Sequence, residues 1–447
     1  MKKYLIIIGI AFFGFTVNGQ EKTKNLSLQQ AIDYALENSY SSKAAVNDIA
    51  SAKKKVWETT TIGLPQIDAK IDYQNWLQQQ VSLLPAEIFG GTAGEFAEVT
   101  FGTQQNLNAT VTLRQLLFDG SYLVGLQSAR TFLKISEQAK EKTAIGVKEA
   151  VINAYGNVLI SEKSIEILNR NKALLEKNLG EVKKIYENGL NEEEDVEQLE
   201  ITLGNVKSQL NSVMRMKVIA YQMLNITLGN SIQTKLNLTD SLDSLTESNI
   251  NLGLISQAFK LENHIDFKIA ENDRESKRLL MRYEQSKALP TLSAFVNYGS
   301  TSNSDSFTFF NGNQKWFNSS LLGVSLNVPI FSSFQRKSKT AQAKIALETA
   351  DIRLEETKQK LSLQAARAKS DYQLSIENYQ TAKRNVSLAE RIEKKHRIKF
   401  FEGISTSFEL TQAQNQLYSQ QQTFIQSMLD VIAKKAALET ALNIPTK

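Results

Sequence analysis

Cysteine is absent from all 447 residues, which removes disulfides and thiolate metal sites together. Histidine is nearly absent. His264 and His396 have no Asp or Glu at metal-ligand spacing that stands out from the general charge, so both are expected to be structural and no metal centre is expected. No window holds the roughly 18 consecutive apolar residues that a transmembrane helix requires. Any passage through a membrane must therefore use β-strands. A phosphate-binding loop is also missing, because "GGTAG" at Gly90 lacks the Lys-Ser/Thr pair and follows no buried strand. Charge of one sign is scarce too. The 52 Lys and Arg against 47 Asp and Glu leave +5, and the signs alternate along the chain. Alternation suits solvated helix faces and excludes a nucleic-acid-binding stripe. No nucleophile–base arrangement stands out, so neither enzymatic activity nor a cofactor is expected.

What is present begins with an export signal. Lys2 and Lys3 precede an apolar run over 5–15, and Val17-Asn18-Gly19 supplies a cleavage site, so residues 1–19 read as a signal peptide. The remainder is an internal duplication, with one copy over 20–245 and the second over 246–447. "YALENSYSSKAA" from Tyr34 aligns with "FKLENHIDFKIA" from Phe259, and the same offset lays Leu64-Pro65 over Leu289-Pro290. Beyond a loop that is longer in the first copy, Phe118 pairs with Phe331, Gly189 with Gly403 and Leu228 with Leu442.

Each copy changes its apolar period twice. Helices are expected over 28–61 and 252–287, each ending at Leu-Pro because proline disfavours helix in the residue before it. Alternating strands are expected at about 66–76 and 105–118, and again at about 291–300 and 317–330. Ile67, Ala69, Ile71 and Tyr73 face one way; Asp68, Lys70, Asp72 and Gln74 face the other, a two-sided pattern that transmembrane barrel strands share. Thr112 and Arg114 continue the polar face and Val111 the apolar one. A four-stranded soluble sandwich would alternate similarly. The aromatic set Tyr73, Trp76, Tyr298 and Trp316 favours the barrel, because it reads as an interfacial girdle at one end of the strands. Proline-free stretches then predict helices over 120–188 and 333–402, followed past a glycine by helices over 191–228 and 405–442. A helix of about 70 residues is roughly 100 Å long, comparable to the depth of a periplasm.

Four strands cannot close a barrel, and an open edge in lipid costs several kcal/mol per unpaired backbone group. Copies of the chain must therefore pool strands. Two copies give a barrel filled by side chains and three begin to leave a channel, and the polar inner face of Asp68, Lys70, Asp72 and Arg114 favours three. The expected fold is mixed α and β: a transmembrane β-barrel completed by oligomerisation, continuing into long coiled-coil helices. An export duct uses both halves. A periplasmic coiled-coil adaptor would need only the helices, and a passive porin only the strands.

The duplicated order of helix, strand pair, long helix, glycine turn and helix resembles the TolC-like outer-membrane efflux family over essentially the whole mature chain. The residues that carry the resemblance are "LSLQQAIDYALENS", Leu-Pro before each first strand, "VPIFSS" and "FFEGISTSFELTQAQNQL". "RQLLFDG" in the first copy lacks the proline at the matching junction, where Asp119-Gly120 supplies the turn. The resemblance implies a homotrimer in outer-membrane lipid with a twelve-stranded barrel and a helical tunnel reaching into the periplasm. It further implies coupling to a periplasmic adaptor (a membrane fusion protein) and an inner-membrane transporter. Gly189, Gly403, Ile404 and Ser405 then fall at the periplasmic tips. Asp195 and Glu409 take the family's acidic aperture position, and Gln412 stands where a second acid is found. Ser405 replaces the basic partner of some relatives. Independently of the family, Thr406 with Glu409 has capping-box spacing, Asn191 with Glu194 is a looser version, and acids in a first turn also complement the helix dipole.

Overall fold

A computed structural model describes residues 24–444, so the expected signal peptide over 1–19 lies outside the described residues. The described residues form strands β1 (Lys24–Leu26), β2 (Gln66–Asn75), β3 (Val81–Pro85), β4 (Phe96–Thr100), β5 (Gln105–Asp119), β6 (Leu236–Leu238), β7 (Thr291–Ser304) and β8 (Phe317–Asn327), together with eight α-helices. The helices are α1 (Leu28–Asn38), α2 (Tyr40–Thr61), α3 (Gly120–Glu187), α4 (Glu193–Leu228), α5 (Leu242–Ser248), α6 (Ile265–Ser286), α7 (Gln335–Phe401) and α8 (Ser407–Ala441). The chain divides into two units: Ala45–Glu141 with Leu261–Leu361, and the remainder.

The first unit is built on a four-stranded antiparallel sheet in the order β2-β5-β7-β8. Its register pairs like with like. Ile67, Ala69, Ile71 and Tyr73 lie opposite Leu113, Val111, Ala109 and Leu107, while Asp68, Lys70 and Asp72 lie opposite Thr112, Thr110 and Asn108. Both outer strands, β2 and β8, have one unpaired edge, so the sheet is open. The strands of the second copy differ from expectation: β7 runs on to Ser304 and β8 ends at Asn327. The loop between β2 and β5 contains the β3–β4 hairpin.

Where a strand hands over to a helix, the two copies use different chemistry. At the β5–α3 junction the Asp119 carboxylate accepts hydrogen bonds from the amides of Ser121 (2.7 Å) and Tyr122 (3.2 Å), so the strand passes straight into the helix. At the β8–α7 junction the chain turns through Ser333 and Phe334, both left-handed, and the Arg336 guanidinium donates to the carbonyls of Pro329 (3.0 Å) and Ile330 (3.3 Å).

The second unit is helical apart from β1 and β6, a short parallel pair. Its core gathers Val151, Tyr155 and Val158 of α3, Leu224 and Leu228 of α4, Tyr372 of α7 and Met428, Val431 and Leu438 of α8. The Tyr155 hydroxyl lies 3.0 Å from both the Leu26 carbonyl and the Asp240 carboxylate and shares its one proton between them, tying the β1 strand to α3. Further along, Leu168, Leu175 and Val182 recur every seventh residue of α3 and meet Val196, Leu199, Leu203, Val206 and Leu210 of α4, a heptad-like seam.

Two expected helices are not continuous. The one over 28–61 divides at Ser39, whose hydroxyl accepts the Ser42 amide (3.3 Å) and so starts a new helix. Beside that break, Gly229 ends α4 with φ 78, and a Cβ placed there would come within 2.2 Å of the Asn38 carbonyl oxygen. The helix expected over 252–287 begins only at Ile265, because two 3₁₀ turns (Leu252–Leu254 and Leu261–Asn263) occupy its first half. His264 caps it, its Nδ1 accepting the Asp266 amide at 3.2 Å.

Candidate functional site

The features able to act on a solute are the two faces of the open sheet and the two helical hairpin ends. On the sheet, the apolar face stands bare in the single chain: Ile71 is 72% exposed, Leu322 73% and Val324 65%. A row of uncovered aliphatic side chains along a strand requires an apolar neighbour. The other face carries Asp68, Lys70, Asp72 and Arg114 in one polar band, with Lys70 and Asp72 paired at 2.8 Å. Among the described residues, no helix is long and apolar enough to cross a membrane.

The aromatic residues divide. Tyr73 and Trp76 close β2 at the end remote from the helices, and Trp316 immediately precedes β8 there. Tyr298 does not join them, because the register sets it opposite Val111 and Ser320, well inside the sheet. Its apolar-face alternation made it look like a partner of Tyr73, but only the register fixes height along a strand. Tyr73 instead packs edge-on against Phe307 (5.6 Å between centroids) and Phe309 (6.0 Å), and Phe307 also meets Phe310 (5.8 Å). Those phenylalanines lie between β7 and β8, outside any alternating stretch, so no periodic signal in the sequence marks them.

The hairpin ends repeat one geometry. Gly189 and Gly403 adopt φ 74 and φ 73, a left-handed conformation that glycine takes without a Cβ penalty. In each, two amides close the helix: Gly189 to Tyr186 (2.8 Å) and Leu190 to Ile185 (3.1 Å), matched by Gly403 to Phe400 (3.0 Å) and Ile404 to Lys399 (2.8 Å). The hydrophobic residue after each glycine is left in solvent, Leu190 at 77% and Ile404 at 70% exposure.

The next helices start differently. Thr406 and Glu409 form a capping box, the Glu409 amide donating to the Thr406 hydroxyl and the Thr406 amide to the Glu409 carboxylate, both at 3.3 Å. The Ser405 hydroxyl also donates to the Glu409 carboxylate and lies 3.4 Å from His396 Nδ1. That hydroxyl, with the Thr406 amide second, holds the Glu409 carboxyl below the usual range. Asn191 does not cap α4. Glu192 takes that position without a side-chain hydrogen bond, and Glu193, Glu194 and Asp195 form the first turn, where the dipole favours them. Asp195 and Glu409 thus sit in equivalent first turns of separate hairpins, with Gln412 exposed beside the second. Behind the hairpin end, Glu393 of α7 is buried with no hydrogen bond to its Oε1, and burial raises its carboxyl above the usual range although Arg397 stands 3.7 Å away.

The family model of the outer membrane efflux proteins matches residues 31–230 and 254–443, one run in each copy. The outer membrane protein TolC of Vibrio cholerae is 26% identical over 262 residues, a match that spans 56% of this chain and 56% of that relative. Among solved structures, CusC superposes with a TM-score of 0.72 at 16% identity, covering 93% of this chain and 91% of its own. VceC of Vibrio cholerae gives 0.70 at 15% identity, covering 93% and 95%. The open state of MtrE from Neisseria gonorrhoeae gives 0.70 at 17%, covering 93% and 88%. At these identities the likeness of the structures is one of fold.

Proposed function

This chain belongs to the outer membrane efflux protein family, and from that premise we propose that it forms a trimeric exit duct through the outer membrane. The observation that carries the proposal is the open, two-faced sheet joined to helices of 68 and 67 residues. An open edge is not tolerated in lipid, so strands β2 and β8 of neighbouring copies pair, and three chains pool twelve strands. The apolar face meets lipid and the polar band of Asp68, Lys70, Asp72 and Arg114 lines the lumen. Tyr73, Trp76 and Trp316 belong to the rim remote from the helices. The long helices carry the duct into the periplasm, where the Gly189 and Gly403 turns form its tip. There a periplasmic adaptor engages it and couples it to an inner-membrane transporter.

Within the tip, Asp195 and Glu409 give six carboxylates around a threefold axis, which concentrate cations at the mouth. Glu409 also completes the capping box begun by Thr406, so the two roles are carried by one side chain. The direct test is fractionation with mild-detergent sizing, followed by cross-linking in cells and mass spectrometry of the captured partners. A trimer in the outer-membrane fraction, cross-linked through the tip turns to a periplasmic coiled-coil protein, is expected. A monodisperse soluble monomer would end the proposal.

A further inference from the structure

We propose that the polar face of the sheet holds a binding subsite for hydroxylated aromatic anions, with Arg114 receiving the anion and Phe295 the ring. This rests on the assignment of that face to the lumen. A recess of about 480 Å³ lies near the helix-proximal end of the sheet, lined by Gln66, Thr112, Arg114, Phe295, Asn297 and Ser325. Its floor is made by three neighbouring strands. Arg114 of β5 lies directly opposite Phe295 of β7, and Phe295 lies opposite Gly323 of β8.

The glycine decides where the ring goes. A Cβ at position 323 would stand 2.3 Å from Phe295 Cζ, so the end of the ring fills the space a side chain would take. Phe295 therefore spreads over its neighbouring strand and offers an aromatic surface within the recess. Directly opposed residues have Cβ atoms about 5 Å apart, so Arg114 stands on the strand next to the ring.

Arg114 is uncommitted. Among the described residues its side chain forms no hydrogen bond and no ion pair, whereas Lys70 on the same face is neutralised by Asp72. Asp68 is its diagonal neighbour across β2 and β5, a placement of about 7–8 Å that leaves them unpaired. A free guanidinium fork matches a carboxylate or sulfonate with two parallel hydrogen bonds. The third partner is Asn297, whose side-chain oxygen is buried without a hydrogen bond. Turned toward the recess by side-chain rotation, it accepts from a hydroxyl on the guest. One recess per chain gives three around the lumen, at the level where the barrel meets the helices.

The probe is 6-hydroxy-2-naphthoate, titrated by its fluorescence into the purified protein in lipid nanodiscs. Saturable binding is expected, weakened about tenfold or more by Arg114→Gln, because a charged hydrogen-bond partner is lost. Arg114→Lys, which keeps the charge but not the fork, falls between, and Phe295→Leu loses affinity severalfold. If Arg114→Gln fails to assemble, those two variants decide. 2-Naphthoate, without the hydroxyl, binds more weakly, and 2-naphthalenemethanol does not compete. The lumen assignment is checked separately with Thr112→Cys and Val111→Cys, each the only thiol in its chain. A charged, water-soluble maleimide should modify the first and spare the second. If the labelling is reversed, the lumen assignment fails. If the labelling is as expected but wild type does not bind, or binds no better than the Arg114 and Phe295 variants, the subsite is overturned and the lumen stands.

Discussion

Val111→Arg isolates the claim that one face of the sheet meets lipid. Val111 lies mid-way along β5, opposite Ala69 on one side and Tyr298 on the other, so its neighbours across both strands are apolar. It is 44% exposed in the single chain, leaving its outer surface to whatever covers that face. An arginine at the midplane of a barrel wall costs about 2–4 kcal/mol, and a trimer carries three copies, so the assembly loses roughly 6–12 kcal/mol. Even one copy corresponds to a factor of about 30 to 1,000 in an assembly equilibrium. Thr112→Arg is the matched control, one residue along and on the other face. There the new charge lies opposite Asp68 and Asn297 and two residues from Arg114, so attraction and repulsion nearly offset and about 0.5 kcal/mol or less is expected. Both variants are read as the amount of trimer in outer-membrane fractions on semi-native gels. Trimer should be nearly absent for Val111→Arg and close to wild type for Thr112→Arg. Equal levels for the two, or the reverse order, would refute the assignment of faces.

Gly229→Ala should destabilise the helical unit more than Gly189→Ala. Both positions are left-handed, costing about 1–2 kcal/mol, but only Gly229 has a carbonyl within 2.2 Å of the new Cβ, whereas nothing lies within 4 Å of Gly189. Thermal midpoints by circular dichroism that fall equally would show that the contact with Asn38 relaxes freely. Glu393 gives a pH-dependent prediction. Its folded pKa is raised by burial, so the folded state holds the proton more tightly and stability declines as pH rises from the ordinary carboxylate value through the raised one. Glu393→Gln should therefore raise the melting midpoint at pH 8 and leave it nearly unchanged at pH 4, and a uniform shift at both would contradict the burial argument. At the tip, Asp195→Asn with Glu409→Gln should lower cation selectivity in a planar bilayer at low salt, with the difference shrinking as salt rises. An unaltered reversal potential would leave these acids as helix-start residues only.

How much of this was open to sequence reasoning depends on whether a feature is local. The capping box of Thr406 and Glu409 is a three-residue spacing, and the tip turns announce themselves by glycine after a long proline-free run. The opposed faces of the sheet follow from alternation, which each strand states by itself. The break at Ser39 is also local in cause, but serine is common inside helices, and nothing in its neighbours distinguishes a cap from a solvated position. Three adjacent acids at 192–194 leave the start of α4 ambiguous in the same way. The β1–β6 pair could not be found at all: each strand has three residues, and their partnership spans the whole first copy.

The misplaced Tyr298 shows a different limit. Alternation fixes which face a residue occupies, whereas its height along the sheet depends on the offset between strands that are far apart in sequence. That offset comes from inter-strand hydrogen bonds and the bulge between Leu116 and Phe118, neither of which leaves a compositional trace. For the same reason alternation places Arg114 on the polar face but does not supply its partner. Its opposition to Phe295, and the bare Gly323 beyond, are facts of register joining three strands from two copies of the duplication. Duplication supplies the elements twice, but a subsite arises where the copies differ. The residue that the β5–β7 register sets opposite Arg114 is an aromatic, and at Gly323 the second copy withholds a side chain so that the aromatic can lie down.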